Sequence, residues 1–101
     1  MDITVERDGV QCRLILTGVV DNTAAEQLKS AFEEICDEVP TEVRLDLSGV
    51  STINSTGIGK ILMLFKAVRK ENGSLEITGI SDNLREIFQL TRLDKVIPIR
   101  S

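Results

Sequence analysis

Residues 45–62 read LDLSGVSTINSTGIGKIL, and their change of rhythm decides the fold. Leu45 and Leu47, with Val43 before them, alternate with Arg44 and Asp46 as in a strand that has one better-buried side. The spacing predicts that strand over residues 41–47, with Ser48-Gly49 ending it. After the short segment Val50 to Asn54, the apolar residues switch to helical spacing at Ile58, Ile61, Leu62, Phe65 and Val68, and Asn72-Gly73 supplies the stop. Met63, Leu64 and Ala67 widen the apolar stripe of this second helix. That width implies burial on two sides or a face left for a partner.

The start of the helix is unusually polar and small. Asn54, Ser55 and Thr56 stand where a helix exposes unpaired N–H groups and the positive end of its dipole, a place that favours a cap or an anion. Gly57 and Gly59 are poor helix formers, yet they occupy the first turns. Asn54 or Ser55 can serve as an ordinary N-cap, with the glycines allowing close packing on the sheet. A nucleotide-hydrolysing phosphate loop is excluded by the missing G-x-x-x-x-G-K-[ST] pattern.

Outward from this stretch the chain keeps alternating strand and helix. Ile3 to Glu6 alternates, Asp8-Gly9 is a hairpin signal, and Val10, Cys12, Leu14 and Leu16 form a second strand closed by Gly18. Thr23 and Glu26 match a capping box for a first helix carrying Ala24, Leu28, Ala31, Phe32 and Ile35, which Pro40 stops. On the other side, Leu75 to Ile80 predicts a strand. Ser81 or Asp82 caps a third helix with Leu84, Ile87, Phe88 and Thr91, and Val96 to Ile99 is a final short strand. The order ββαβαβαβ predicts an α/β fold, a mixed four- to five-stranded sheet packed by helices. The helical crossovers make parallel pairs and the opening hairpin an antiparallel one.

Composition narrows the function. A chain of 101 residues, 42% hydrophobic and 28% charged, with three Phe as its aromatics, reads as one soluble domain spanning residues 1–101 with an aliphatic core. A net charge of −4 and scattered Lys and Arg argue against nucleic acid. No apolar run reaches the roughly 18 residues of a membrane span, and MDITVERDG has no basic-then-hydrophobic pattern, so a cytoplasmic protein is expected. The sequence has no His, which removes the usual catalytic triads and the commonest metal ligand. Cys12 and Cys36 fall on apolar faces and are expected to be reduced packing residues. The expectation is a non-enzyme without metal or cofactor.

The stretch LDLSGVSTINSTGIGKIL resembles the core of STAS domains, in particular the D-S-[ST]-G-[LI]-G segment of bacterial anti-sigma factor antagonists. LTGVVDNTAAEQLKSAF is similar to the family's L-x-G-x-x-D stretch, and ISDNLREIFQLTRLDKVIPI to its closing segment. The resemblance spans nearly the whole chain and implies a STAS-like fold. It implies partner switching: the unphosphorylated protein binds a serine protein kinase that doubles as an anti-sigma factor, phosphorylation releases it, and a PP2C-type phosphatase restores the active form. Carried over by position, the phosphoacceptor is Ser55. The partner-binding residues are Asp21, Asn22, Asn54, Ser55, Thr56 and Gly57, on a protein expected to be a monomer. The sequence departs from the family where Asn54 stands in place of the Asp before the serine and Val19 in place of a common Glu. STAS domains also resemble soluble accessory subunits of membrane transporters, and a small-ligand sensor with its site near Asp21 and the Ser55 helix start is a third reading.

Overall fold

The computed structural model describes residues 2–9, 11–37 and 42–100, with residues 35–37 described by their backbone alone. The described residues form a five-stranded sheet of β1 (Asp2–Asp8), β2 (Gln11–Val20), β3 (Glu42–Ile53), β4 (Ser74–Thr78) and β5 (Ile99–Arg100), in that spatial order. Helix α1 (Asn22–Asp37) joins β2 to β3, and α2 (Ser55–Lys70) joins β3 to β4. Helix α3 (Asp82–Leu90) and a 3-10 turn at Leu93–Lys95 lead to β5. β1 pairs antiparallel with β2 and every later pair is parallel, giving the mixed sheet and the ββαβαβαβ order that the periodicity predicts.

Because strands are added in chain order, successive right-handed crossovers return on the same side of the sheet. Burial follows from this. Cys12, Leu14 and Leu16 of β2, Val43, Leu45 and Leu47 of β3, and Leu75 and Ile77 of β4 are buried. They share one continuous core with Leu28 and Phe32 of α1, Ile61, Leu64, Phe65 and Val68 of α2, and Leu84 and Phe88 of α3. Between them, Arg44 of β3 bonds Glu76 of β4 at 3.1 Å, and Glu76 also takes Arg100 of β5 at 2.8 Å. All three side chains keep some contact with water, so these pairs contribute little to stability. No helix of the described residues is long and apolar enough to cross a membrane.

Several boundaries differ from the sequence expectation, each for a local reason. Asp8 pairs with Gln11, so Asp8 still belongs to β1, and Gly9, at φ 61°, enters the turn. β2 does not close at Gly18; it continues to Val20. The first helix is capped by Asp21, whose Oδ1 accepts the Ala24 N–H at 2.9 Å, and not by Thr23. Ser81 caps α3 by accepting the Leu84 N–H at 3.3 Å, and Asp82 is the first helical residue. The last strand is shorter than expected, because the turn at Leu93–Lys95 uses up the approach; Ile97 is buried, Pro98 bonds Ile77 through its carbonyl, and pairing covers Ile99 and Arg100 alone. The expected placements of Val10, Pro40 and Thr41 lie outside the described residues, as do the side chains of Ile35 and Cys36.

The largest difference is in β3, which does not end at Ser48-Gly49 but runs on to Ile53. Ile15 pairs with Asp46 while Thr17 pairs with Gly49, and Gly18 pairs with Val50 while Val19 pairs with Thr52, so β3 holds an extra residue at two places. Asp46 organises the first irregularity. Its Oδ1 accepts the Ser48 N–H at 2.9 Å, its Oδ2 accepts from Arg13 at 2.9 Å, and it is 8% exposed, where alternation alone put it on the less buried side. Burial pushes the Asp46 carboxyl upward, but the Ser48 backbone and hydroxyl bonds and the Arg13 charge together hold it below its ordinary value. Gly79, at φ 66°, lies so near that a Cβ there would stand 2.8 Å from Asp46 Oδ1 and 2.9 Å from Ser48 Cβ, which leaves glycine as the fitting residue.

Candidate functional site

β2 and β3 are parallel neighbours and each hands over to a helix at its carboxyl end, so the starts of α1 and α2 lie side by side. Val20 pairs with Ile53, and one residue further on the Asn54 N–H donates to the Val20 carbonyl at 3.0 Å. The sheet therefore continues its hydrogen bonding up to the point where both chains turn. This geometry brings together Asp21 and Asn22 from one turn with Asn54, Ser55 and Thr56 from the other, the residues singled out in the sequence.

Each turn satisfies its own helix. Asp21 caps α1 through Ala24, and Asn54, in extended conformation at φ −97° and ψ 176°, caps α2 by accepting the Gly57 N–H at 2.9 Å. A helix leaves its first N–H groups without intrahelical partners, and here a side-chain oxygen takes one in each case. The two caps differ in charge. α1 has the Asp21 carboxylate at its positive end, whereas the first turn of α2 carries no acidic residue and its cap is a neutral amide. The caps are also tied to one another, since Asn54 Nδ2 donates to Asn22 Oδ1 at 2.9 Å.

Ser55 is the first residue of α2 and is exposed, as is Thr56. Gly57, by contrast, is buried: a Cβ at this position would stand 2.4 Å from Val20 Cγ1 and 3.0 Å from Ile53 Cγ1. Its contribution is close approach of the helix to the sheet, beneath the surface that Ser55 and Thr56 form. Gly59 has nothing within 4 Å of the place a Cβ would take, so packing does not explain it.

Along α2 the wide apolar stripe resolves into two parts. Leu64 belongs to the core, while Met63 is 60% exposed and, with Phe32, Leu64 and Ala67, lines a shallow groove of about 150 Å³ between α1 and α2, with Lys29 and Lys60 beside it. Val19, just before the first turn, is also exposed, at 46%. Among the described residues no group of His, Cys, Asp and Glu is arranged to hold a metal ion. The arrangement offers a surface with a hydroxyl at a helix start. Sequence reasoning did not single out the Asn22–Asn54 bond or the structural role of Asp46.

Comparison with known proteins bears on the family and the fold. A family model described as "Mlab, STAS domain" matches residues 3–99. The anti-sigma-B factor antagonist of Listeria monocytogenes is 32% identical over 104 residues, covering 100% of this chain and 91% of that protein. The anti-sigma factor antagonist of Mycobacterium paratuberculosis has a crystal structure that superposes with a TM-score of 0.87 at 24% identity, over 97% of this chain and 83% of that one. The phosphorylated form of the Bacillus cell fate determinant SpoIIAA superposes with a TM-score of 0.78 at 19% identity, over 99% and 92% of the two chains.

Proposed function

We infer that this chain, which belongs to the STAS domain family, is an anti-sigma factor antagonist that switches partners through the phosphorylation state of Ser55. In this reading it is a binding protein and not an enzyme. The unphosphorylated form binds a serine protein kinase that is also an anti-sigma factor, phosphorylation of Ser55 releases that partner, and a PP2C-type phosphatase resets the cycle. The observation that carries the reading is the exposed Ser55 hydroxyl at the first position of α2, on one surface with the turn at Asp21 and Asn22. The likeness to the Listeria anti-sigma-B factor antagonist over the whole chain supports an anti-sigma factor as the class of partner.

The physics of the switch follows from the placement. A phosphate on Ser55 brings about −1.5 to −2 charge to a helix start whose first turn has no acid, where the dipole and the free N–H groups receive it well. The fold is therefore undisturbed. At an interface with a kinase surface already holding nucleotide phosphates, the same charge must be desolvated against like charge. That costs several kcal/mol, and a loss of about 3 kcal/mol weakens affinity by more than a hundredfold. The test is to incubate the protein with ATP and a lysate of its source organism, map the modified residue, and titrate the captured kinase against the unmodified, phosphorylated and Ser55→Ala forms. Modification at Ser55 with tight binding of the unmodified and Ser55→Ala forms is expected. Equal binding of phosphorylated and unmodified protein would end this reading.

A further inference from the structure

We propose that Asn22 is a positioning residue for Ser55, its side-chain amide latching the turn before α1 onto the start of α2 and fixing the face that Asn54 and Ser55 present. The proposal rests on the reading of Ser55 as the modified residue. Its basis is a chain of donors and acceptors in which each bond dictates the next. The Gly57 N–H must find an oxygen, and Asn54 Oδ1 takes it at 2.9 Å, which settles which way the Asn54 amide points. Nδ2 of Asn54 is thereby turned away from its own helix and needs an acceptor, which Asn22 Oδ1 provides at 2.9 Å.

Backbone contacts hold the two turns close, through Asn54 N–H to the Val20 carbonyl at 3.0 Å, but they do not orient the side chains above them. The amide pair does. It also explains how this chain works with Asn54 where an acid would be expected from the resemblance. An asparagine at position 22 can accept from an amide at 54 or, by turning its own amide over, donate to a carboxylate there. The latch consequently tolerates either residue at position 54 and fails when both positions carry carboxylates.

Four variants test this: Asn22→Ala, Asn22→Asp, Asn54→Asp, and the double variant with Asn22→Asp and Asn54→Asp. Two quantities are read in each: hydrogen exchange of the Gly57 amide by NMR, which requires no partner, and the initial rate of Ser55 phosphorylation by ATP and the kinase captured in the experiment above. Asn22→Asp and Asn54→Asp should keep slow exchange and a rate close to that of the wild type. Asn22→Ala and the double variant should exchange faster and be phosphorylated roughly two- to tenfold more slowly, the scale of one hydrogen bond lost at a surface. Melting temperatures should fall by no more than a few degrees, since the core is untouched. The proposal is overturned if Asn22→Asp is as impaired as Asn22→Ala, or if the double variant matches the single ones. If Ser55 is not phosphorylated even in the wild type, the proposed function fails, while the exchange pattern still decides whether the latch exists.

Discussion

Two polar clusters lie along the pair β2 and β3, and they are built from opposite materials. In the sheet, Asp46 is a buried carboxylate that takes the Ser48 N–H and the Arg13 guanidinium. At the carboxyl ends of the same strands, Asn22 and Asn54 are neutral amides that take each other and the Gly57 N–H at the surface. A buried charge must be fully satisfied and then fixes the backbone around it, because any loss leaves a group without water. An exposed amide pair costs little to lose, because water can take the place of either partner, so it orients side chains without fixing the backbone beneath them. The first cluster shapes the fold and the second shapes the surface.

Replacing Asp46 is the strongest way to break that contrast. Asp46→Ala leaves the Ser48 N–H of the irregular β3 without its acceptor and should cost about 2–3 kcal/mol in denaturant unfolding, whereas Asn22→Ala should cost under about 1 kcal/mol. Similar losses from both would mean the surface pair is as structural as the sheet cluster. The pH dependence has a definite sign. Since the folded Asp46 carboxyl is held below its ordinary value of 3.8, its contribution is present above that value and fades as pH falls through the lower, folded one. Stability profiles of wild type and Asp46→Asn should therefore converge below about pH 3.8, and parallel profiles down to pH 2 would refute the assignment.

The two glycines of α2 sharpen the contrast further. Gly57→Ala drives a methyl into Val20 and Ile53 and should destabilise by roughly 1–3 kcal/mol despite better helix propensity. Gly59→Ala meets open space and should stabilise by about 0.5–1 kcal/mol, measurable as a rise in melting temperature. A loss at Gly59 would reveal a constraint that the isolated chain does not display. The smallest effect is expected at Ser55 itself. Ser55→Glu places a negative charge at the start of α2 and should change stability by no more than about 0.3–1 kcal/mol in the favourable direction, while binding to the captured kinase falls. A large drop in melting temperature would place Ser55 in the structural cluster instead of the surface one.

Much of the fold was readable because burial obeys spacing. Leu14, Leu45 and Ile77 fall where strand alternation puts buried residues, and Ile61, Phe65 and Val68 recur as helix residues should. The cap of α2 was narrowed to Asn54 or Ser55, since small polar residues before an apolar helical run satisfy nearby N–H groups, and Asn54 takes it. Ser48-Gly49 misled because a pair that usually ends a strand here occupies an irregular stretch, and what keeps β3 going is pairing with β2, a neighbour distant in sequence. Thr23 misled for a related reason: β2 runs on to Val20, which makes Asp21 the first residue able to cap. The Asn22–Asn54 bond joins residues 32 positions apart and leaves no mark in local periodicity.

The agreement of strand order with chain order has a consequence for how the molecule forms. Each strand pairs with the one made just before it, so the opening hairpin closes locally, while every parallel pair must wait for the helix that carries the chain back across the sheet. The surface around Ser55 draws on β2, α1, β3 and the first turn of α2, all of which lie within residues 11–57. During synthesis these elements emerge ahead of β4 and α3. Its parts are therefore available early, but β4 is still needed to pair with the remaining edge of β3 over Glu42 to Asp46.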